Sequence, residues 1–172
     1  IQEDDPPYIE SLGEHWGALC AEPELASHWA DQLLPLVKHV MADLRKGNYA
    51  YTRSDTLCYS ALFHAGRFDD LLAVLALDPK PYWHDQQWAA RALAARGDVD
   101  GAVNLMEGLR SRHAPDMALS AVAEQLLLDA GRTEEAYARY GIQATSANTN
   151  IATFRAVAKR NPDIEPSRIL GD

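Results

Sequence analysis

Cysteine is scarce: Cys20 and Cys58 are the only two in 172 residues. Two thiols cannot build a disulfide framework, and no Cys-x-x-Cys pair offers a zinc or redox site. No apolar run approaches the roughly 18 residues that a membrane-spanning helix needs. The N-terminus, Ile1-Gln2-Glu3-Asp4-Asp5-Pro6-Pro7, lacks the positive n-region and apolar h-region of a secretory signal. Positive charge is also short, with 16 Lys and Arg against 25 Asp and Glu and a formal net charge of -9. Nucleic-acid binding needs cations that displace counterions from phosphate, so the global balance argues against that partner. The expectation is a cytoplasmic protein with no membrane partner.

Chemistry-bearing motifs are missing too. There is no Gly-x-Ser-x-Gly elbow and no phosphate-cradling glycine loop. His15, His28, His39, His64, His84 and His113 include no i,i+4 pair of the kind that holds zinc on one helix. Cys58 has His64 six residues on, a spacing that sends the two side chains to different helix faces. Cys20 ends a predicted helix and is expected to be accessible. The adjacent acids Asp69-Asp70 and Glu134-Glu135 suggest general acid–base work, but a helix N-terminus explains them more simply. No catalytic residue, metal ligand or cofactor is therefore expected.

What is present is helix-forming and repetitive. Hydrophobic residues make up 47% and charged residues 24%, the balance of a globular chain. Ala and Leu dominate the apolar share, and both favour helices. Three segments share one pattern: Cys58-Tyr-Ser-Ala-Leu-Phe-His-Ala-Gly-Arg-Phe-Asp-Asp-Leu, Ala89-Ala-Arg-Ala-Leu-Ala-Ala-Arg-Gly-Asp-Val-Asp-Gly-Ala, and Ala123-Glu-Gln-Leu-Leu-Leu-Asp-Ala-Gly-Arg-Thr-Glu-Glu-Ala. They align on Gly66, Gly97 and Gly131, which lie 31 and 34 residues apart. Such a period signals stacked helical hairpins.

Each shared offset has a physical use. Leu62, Leu93 and Leu127 stand four residues before the glycine, and the small Cys58, Ala89 and Ala123 eight before it. Those positions share a helix face, where a leucine knob sits beside a gap for a neighbouring helix. The glycine supplies the left-handed conformation that ends a helix without a Cβ clash. Asp69, Asp100 and Glu134 then fall in the next helix's first turn, where the dipole favours negative charge. Leu71, Ala102 and Ala136 turn inward.

The pattern resembles the second half of a tetratricopeptide repeat over residues 54–140, although Tyr59, Ala90 and Glu124 stand where that family carries an intrahelical glycine. The stretches Leu77-Asp-Pro-Lys-Pro-Tyr-Trp-His and Asn150-Ile-Ala-Thr-Phe-Arg-Ala-Val-Ala-Lys-Arg-Asn-Pro are similar to bacterial helical-repeat proteins of uncharacterised function. The resemblance implies an all-α fold of stacked antiparallel hairpins, an α-solenoid of about nine to ten helices, and no particular activity.

The flanks extend the array. A helix is predicted from Tyr8 to Cys20, opened by Pro7. Glu24 to Lys46 reads as helical, with Leu33, Val37, Val40, Met41 and Leu44 inward. Pro35 predicts a kink there or two abutting helices, and Gly47-Asn48 the stop. Asp78 to Pro81 forms a loop. Asn150 is placed to cap a helix that runs to Arg160, with Phe154, Val157 and Ala158 inward. Asn161-Pro162 stops it, and Pro166 starts a last helix bearing Ile169 and Leu170. The expected organisation is one domain over 1–172: N-terminal helices in 1–53, three repeat-like hairpins in 54–140 and capping helices in 141–172. The missing initiator Met and the ending just after Ile169-Leu170 suggest a piece of a longer protein.

Two surface features invite a binding role. Tyr82, Trp83, His84 and Arg91 fall where a helix begins after Pro81, and Tyr and Trp are favoured at binding hot spots. The competing reading makes these rings packing at a hairpin junction, with Trp88 facing the core. The basic stripe Arg155, Lys159 and Arg160 is short and without interleaved aromatics, which favours a solvated helix end over RNA contact. The leading expectation is an interaction module that binds protein or peptide. The alternatives are a regulatory arm of an enzyme or nucleic-acid-associated protein whose active domain lies elsewhere, and a scaffold that forms homo-oligomers.

Overall fold

The computed structural model describes residues 8–47, 54–79, 81–110, 115–145 and 147–171; Pro7, Asn48 and His113 fall outside them. Among the described residues every regular element is helical: α1 (Tyr8–Leu19), α2 (Pro23–Arg45), α3 (Ser54–His64), α4 (Phe68–Leu75), α5 (Trp83–Ala95), α6 (Val99–Gly108), α7 (Asp116–Asp129), α8 (Thr133–Tyr140), a 3-10 turn (Gln143–Thr145), α9 (Asn150–Arg160) and α10 (Pro166–Gly171). The fold is all-α, and neighbouring helices pack on one another. Internal contacts divide the chain into two compact units, Ile1–Ala92 and Leu93–Asp172, with the boundary inside α5.

In the first unit α3 packs against both α1 and α2. Small residues bring α1 close. The Gly17 amide donates to Ser60 Oγ at 3.0 Å, and that hydroxyl donates to the Glu14 carbonyl at 2.9 Å. A Cβ on Gly17 would collide with the Ser60 carbonyl and the His64 ring. Cys58, Tyr59, Ser60, Ala61 and Leu62 are all buried, so α3 is wrapped on most sides.

The inward face of α2 is Ala26, Ala30, Leu34, Val37 and Met41. Leu33, Val40 and Leu44, expected inward, are half-buried instead. The two alanines set the register, because their small side chains let the helix backbones approach. Pro35 does not divide the helix, which runs unbroken from Pro23 to Arg45. Pro35 and Asp31, whose carbonyl loses its usual i+4 donor, are both exposed, so water can take the place of the missing bond.

The glycine joints after α3, α5 and α7 are alike. Gly66, Gly97 and Gly131 have φ of 69°, 91° and 73°. The residue after each glycine donates its amide back to the predicted leucine position: Arg67 to Leu62 O at 2.9 Å, Asp98 to Leu93 O at 3.0 Å, and Arg132 to Leu127 O at 2.8 Å. The glycine amides bond Phe63 O, Ala94 O and Leu128 O at 3.0, 2.9 and 2.9 Å. These paired bonds satisfy carbonyls that a helix end leaves open. Nothing lies where a Cβ would stand at any of the three, so the left-handed backbone alone demands glycine.

Arginine braces two of the joints. Arg67 binds Asp70 and reaches Asp31 on α2, at 2.8 and 2.6 Å. Arg132 likewise binds Glu135 and reaches Asp100 on α6, at 2.6 and 2.7 Å. At the middle joint Asp98 stands in the arginine position and caps α6 through the Gly101 amide at 2.8 Å. Leu71, Ala102 and Ala136 are fully buried, as are Leu62 and Leu127. Leu93 departs from its expected role: it is half-buried, and α5 buries Gln87, Trp88, Ala89, Ala90 and Ala92 instead.

In the second unit α7 packs on α6, α8 and the 3-10 turn. Tyr137, Val157, Ile164 and Ile169 form a cluster against which Phe154 and Ala158 pack. Leu170 is exposed. Thr149, not Asn150, caps α9: its extended backbone places its hydroxyl 3.2 Å from the Ala152 amide. Glu124 is fully buried, and the end of α9 with its C-cap residue supplies its partners. Asn161 Nδ2 donates to Oε1 at 3.2 Å, and Arg160 Nη2 pairs with Oε2 at 2.8 Å. Arg160 therefore has a structural role, while Arg155 and Lys159 lie exposed.

Candidate functional site

Tyr82, Trp83 and His84 come together at the start of α5. Tyr82 is 60% exposed, and its ring centroid lies 5.9 Å from that of Trp83 and 6.4 Å from that of His84. The Trp83 and His84 rings meet edge to face at 5.5 Å. His84 Nε2 sits 2.9 Å from Glu14 Oε1, which holds the imidazole against α1. Trp88 is buried as expected, and Phe63 packs on it with ring centroids 5.9 Å apart. Arg91 is not part of the ring cluster. Its guanidinium lies over Trp88 at 4.9 Å and donates to Gln87 Oε1 at 3.2 Å. His84, Gln87 and Arg91 share the spacing of one helix face, so a polar seam follows the aromatic edge along α5.

Three carboxylates of this unit influence one another. Burial pushes Asp85 up to about 6, and the charges of Asp55 and Asp78 add to the shift while His84 opposes it. Burial also raises Asp55. The Tyr59 hydroxyl is held protonated, first by burial and then by the same acids. Among the described residues no group of three or more His, Cys, Asp or Glu could hold a metal ion.

The thiols are packing residues. Cys58 is fully buried, and burial pushes its thiol up to about 12, far from the thiolate that nucleophilic work requires. Cys20, expected to be accessible, is buried. The exposed Ala21 that follows it takes the left-handed φ of 61°. Partial burial of the His64 ring against α1, then the charges of Arg91 and His15, lower its affinity for a proton.

Sequence reasoning missed two surfaces. In the second unit a cavity of about 490 Å³ is lined by Tyr137, Arg139, Tyr140, Ile142, Gln143 and Arg168. Arg139 stacks over Tyr140 at 5.0 Å and Arg168 over Tyr137 at 4.9 Å. Both guanidiniums are already paired, Arg139 with Glu135 at 2.9 Å and Arg168 with Glu134 at 2.7 Å. In the first unit Leu12 and Leu19 of α1 and Leu25, Trp29 and Leu36 of α2 are all exposed. The Leu25–Trp29–Leu36 spacing was a legible signal of a second apolar stripe on α2.

No protein-family model matches the chain, and neither a curated protein nor a solved structure does. No helix among the described residues is long and apolar enough to cross a membrane.

Proposed function

We propose that the chain is a tetratricopeptide-like helical-repeat module of a bacterial cytoplasm that binds protein or peptide and performs no chemistry of its own. The observation that carries the reading is the likeness of the Gly66, Gly97 and Gly131 joints in φ and in both back-directed hydrogen bonds. A hairpin unit repeated in this way buries its apolar stripe only by stacking, and stacked arrays present extended binding faces. The step from such an array to binding is an argument from architecture. The exposed Tyr82 edge, backed by Trp83 and His84, supplies aromatic area suited to a peptide contact. The free buried thiols of Cys20 and Cys58 suit a reducing compartment.

Affinity capture from the source cell, followed by mass spectrometry, tests this with the intact protein and a Tyr82→Ala/Trp83→Ala variant. The expected result is a discrete partner held by the parent and lost from the variant, with both equally helical by circular dichroism. Recovery of the same proteins by parent and variant would remove the aromatic edge from the binding surface.

A further inference from the structure

Apolar side chains are exposed along one stripe each of α1 and α2. Leu12, Trp16 and Leu19 follow one stripe of α1 at i, i+4 and i+7, and Leu25, Trp29 and Leu36 follow one of α2. The stripes meet where Trp16 and Trp29 stack edge to face, with centroids 5.2 Å apart and planes at 82°. Leu12, Leu19, Leu25 and Leu36 are 44%, 61%, 46% and 57% exposed, too much apolar surface on two adjoining helices to be scattered residues. The Trp16 indole Nε1 is buried without a hydrogen-bond partner. The buried face of α2, Ala26 through Met41, is separate, so the exposed stripe is surplus to the fold's own packing.

Charge identifies the occupant. From Leu12 to Val37 the two helices and the turn between them carry Glu14, Glu22, Glu24 and Asp31 and no Lys or Arg; Glu14 pairs with His84 and Asp31 with Arg67. Glu22 and Glu24, at the N-terminal end of the α2 stripe, are exposed and have no ion pair among the described residues. A second copy of this chain would bring the same acidic surface to the face, and like charges across an interface are unfavourable. We propose that this face receives a cationic amphipathic helix of a partner protein. Its apolar residues lie along the Trp16–Trp29 seam, and its Lys or Arg residues meet Glu22 and Glu24. This mode reads a helix through anchors at i, i+3, i+4 and i+7. The inference rests on the interaction-module reading and names both the partner's chemistry and a surface distinct from the Tyr82 edge.

The probe is a fluorescent peptide of Leu and Lys in heptad order, about five turns or roughly 18 residues long. A Leu and Glu peptide of the same pattern is the control. Anisotropy is measured against the full chain and a Leu25→Ser/Trp29→Ser/Leu36→Ser variant, whose retained helix content is checked by circular dichroism. The Lys peptide is expected to bind the parent, to weaken steeply with salt, and to lose about tenfold or more in affinity on the variant. The Glu peptide is expected not to bind. Equal binding of the Lys peptide to parent and variant, no binding to the parent, or equal binding of the two peptides would each overturn the proposal. A parent dimer by sedimentation that the triple substitution abolishes would also overturn it, making a second copy the occupant. If the proposal fails while Tyr82→Ala/Trp83→Ala still loses a captured partner, the module reading survives without this surface. If the peptide binds as expected and no partner depends on the aromatic edge, the binding site moves to α1 and α2.

Discussion

Single atoms decide several features of this fold. At Gly17 a methyl group has nowhere to go, because the Ser60 carbonyl of α3 occupies its place. Gly17→Ala gains helix propensity of about 1 kcal/mol, yet the overlap involves backbone that cannot swing aside. The expected net effect is destabilisation by about 1–3 kcal/mol, measured by urea denaturation. Stability equal to the parent's would mean that α1 and α3 lie further apart. At Asp85 the relevant variable is pH. The folded chain holds this carboxyl near 6 against an ordinary 3.8, so folding favours the protonated form. Its stabilising contribution is complete below about pH 4 and is lost as pH rises through the folded value. Asp85→Asn is therefore expected to stabilise by about 1–2 kcal/mol at neutral pH, with the gain vanishing near pH 4. Thermal melts at both pH values check this; a gain independent of pH would contradict it.

Elements join through a few buried contacts, and these were legible to different degrees. The inward leucines of α3 and α7 stand at the glycine offset that predicts them, whereas Leu93, at the same offset, is only half-buried. Leu62→Ala and Leu127→Ala are each expected to cost about 2–5 kcal/mol, and the half-buried Leu93 distinctly less. On α5, Trp88→Ala is expected to cost more than Trp83→Ala. The attachment of α9 to α7 was not legible, since nothing in sequence joins Glu124 to Arg160 across 36 positions. Burial raises the Glu124 carboxyl toward its neutral form, while Asn161 and Arg160 oppose that shift. Arg160→Ala leaves a buried carboxylate with only its Asn161 bond, at an expected cost of about 2–4 kcal/mol at neutral pH. The loss should shrink in acid as Glu124 protonates. A loss of the same size at every pH would make Arg160 a packing residue. The misplaced face of α2 has a similar origin. Periodicity gives an apolar arc of Leu33, Val37, Val40, Met41 and Leu44, and only the close fit of Ala26 and Ala30 selects which edge of it turns inward.

At the scale of the molecule, the helical architecture was readable because local rules specify it: glycine ends, acidic first turns and a repeated knob-and-gap face. The candidate site was readable only in part. Tyr82, Trp83 and His84 are neighbours in sequence and remain neighbours in space, whereas the Arg91–Trp88 stack depends on rotation about α5. The second apolar stripe of α2 was readable as spacing, but its exposure was not, since exposure depends on what packs against it. The architecture and the functional reading both depend on the three glycine joints being equivalent. Alanine at Gly66, Gly97 and Gly131, with Gly108→Ala as reference, measures that equivalence by equilibrium denaturation. Gly108 is helical and open to solvent, so alanine there is expected to be neutral or stabilising. Each joint substitution is expected to destabilise by about 1–2 kcal/mol, from the left-handed backbone alone. A joint that accepts alanine as readily as Gly108 would contradict the equivalence.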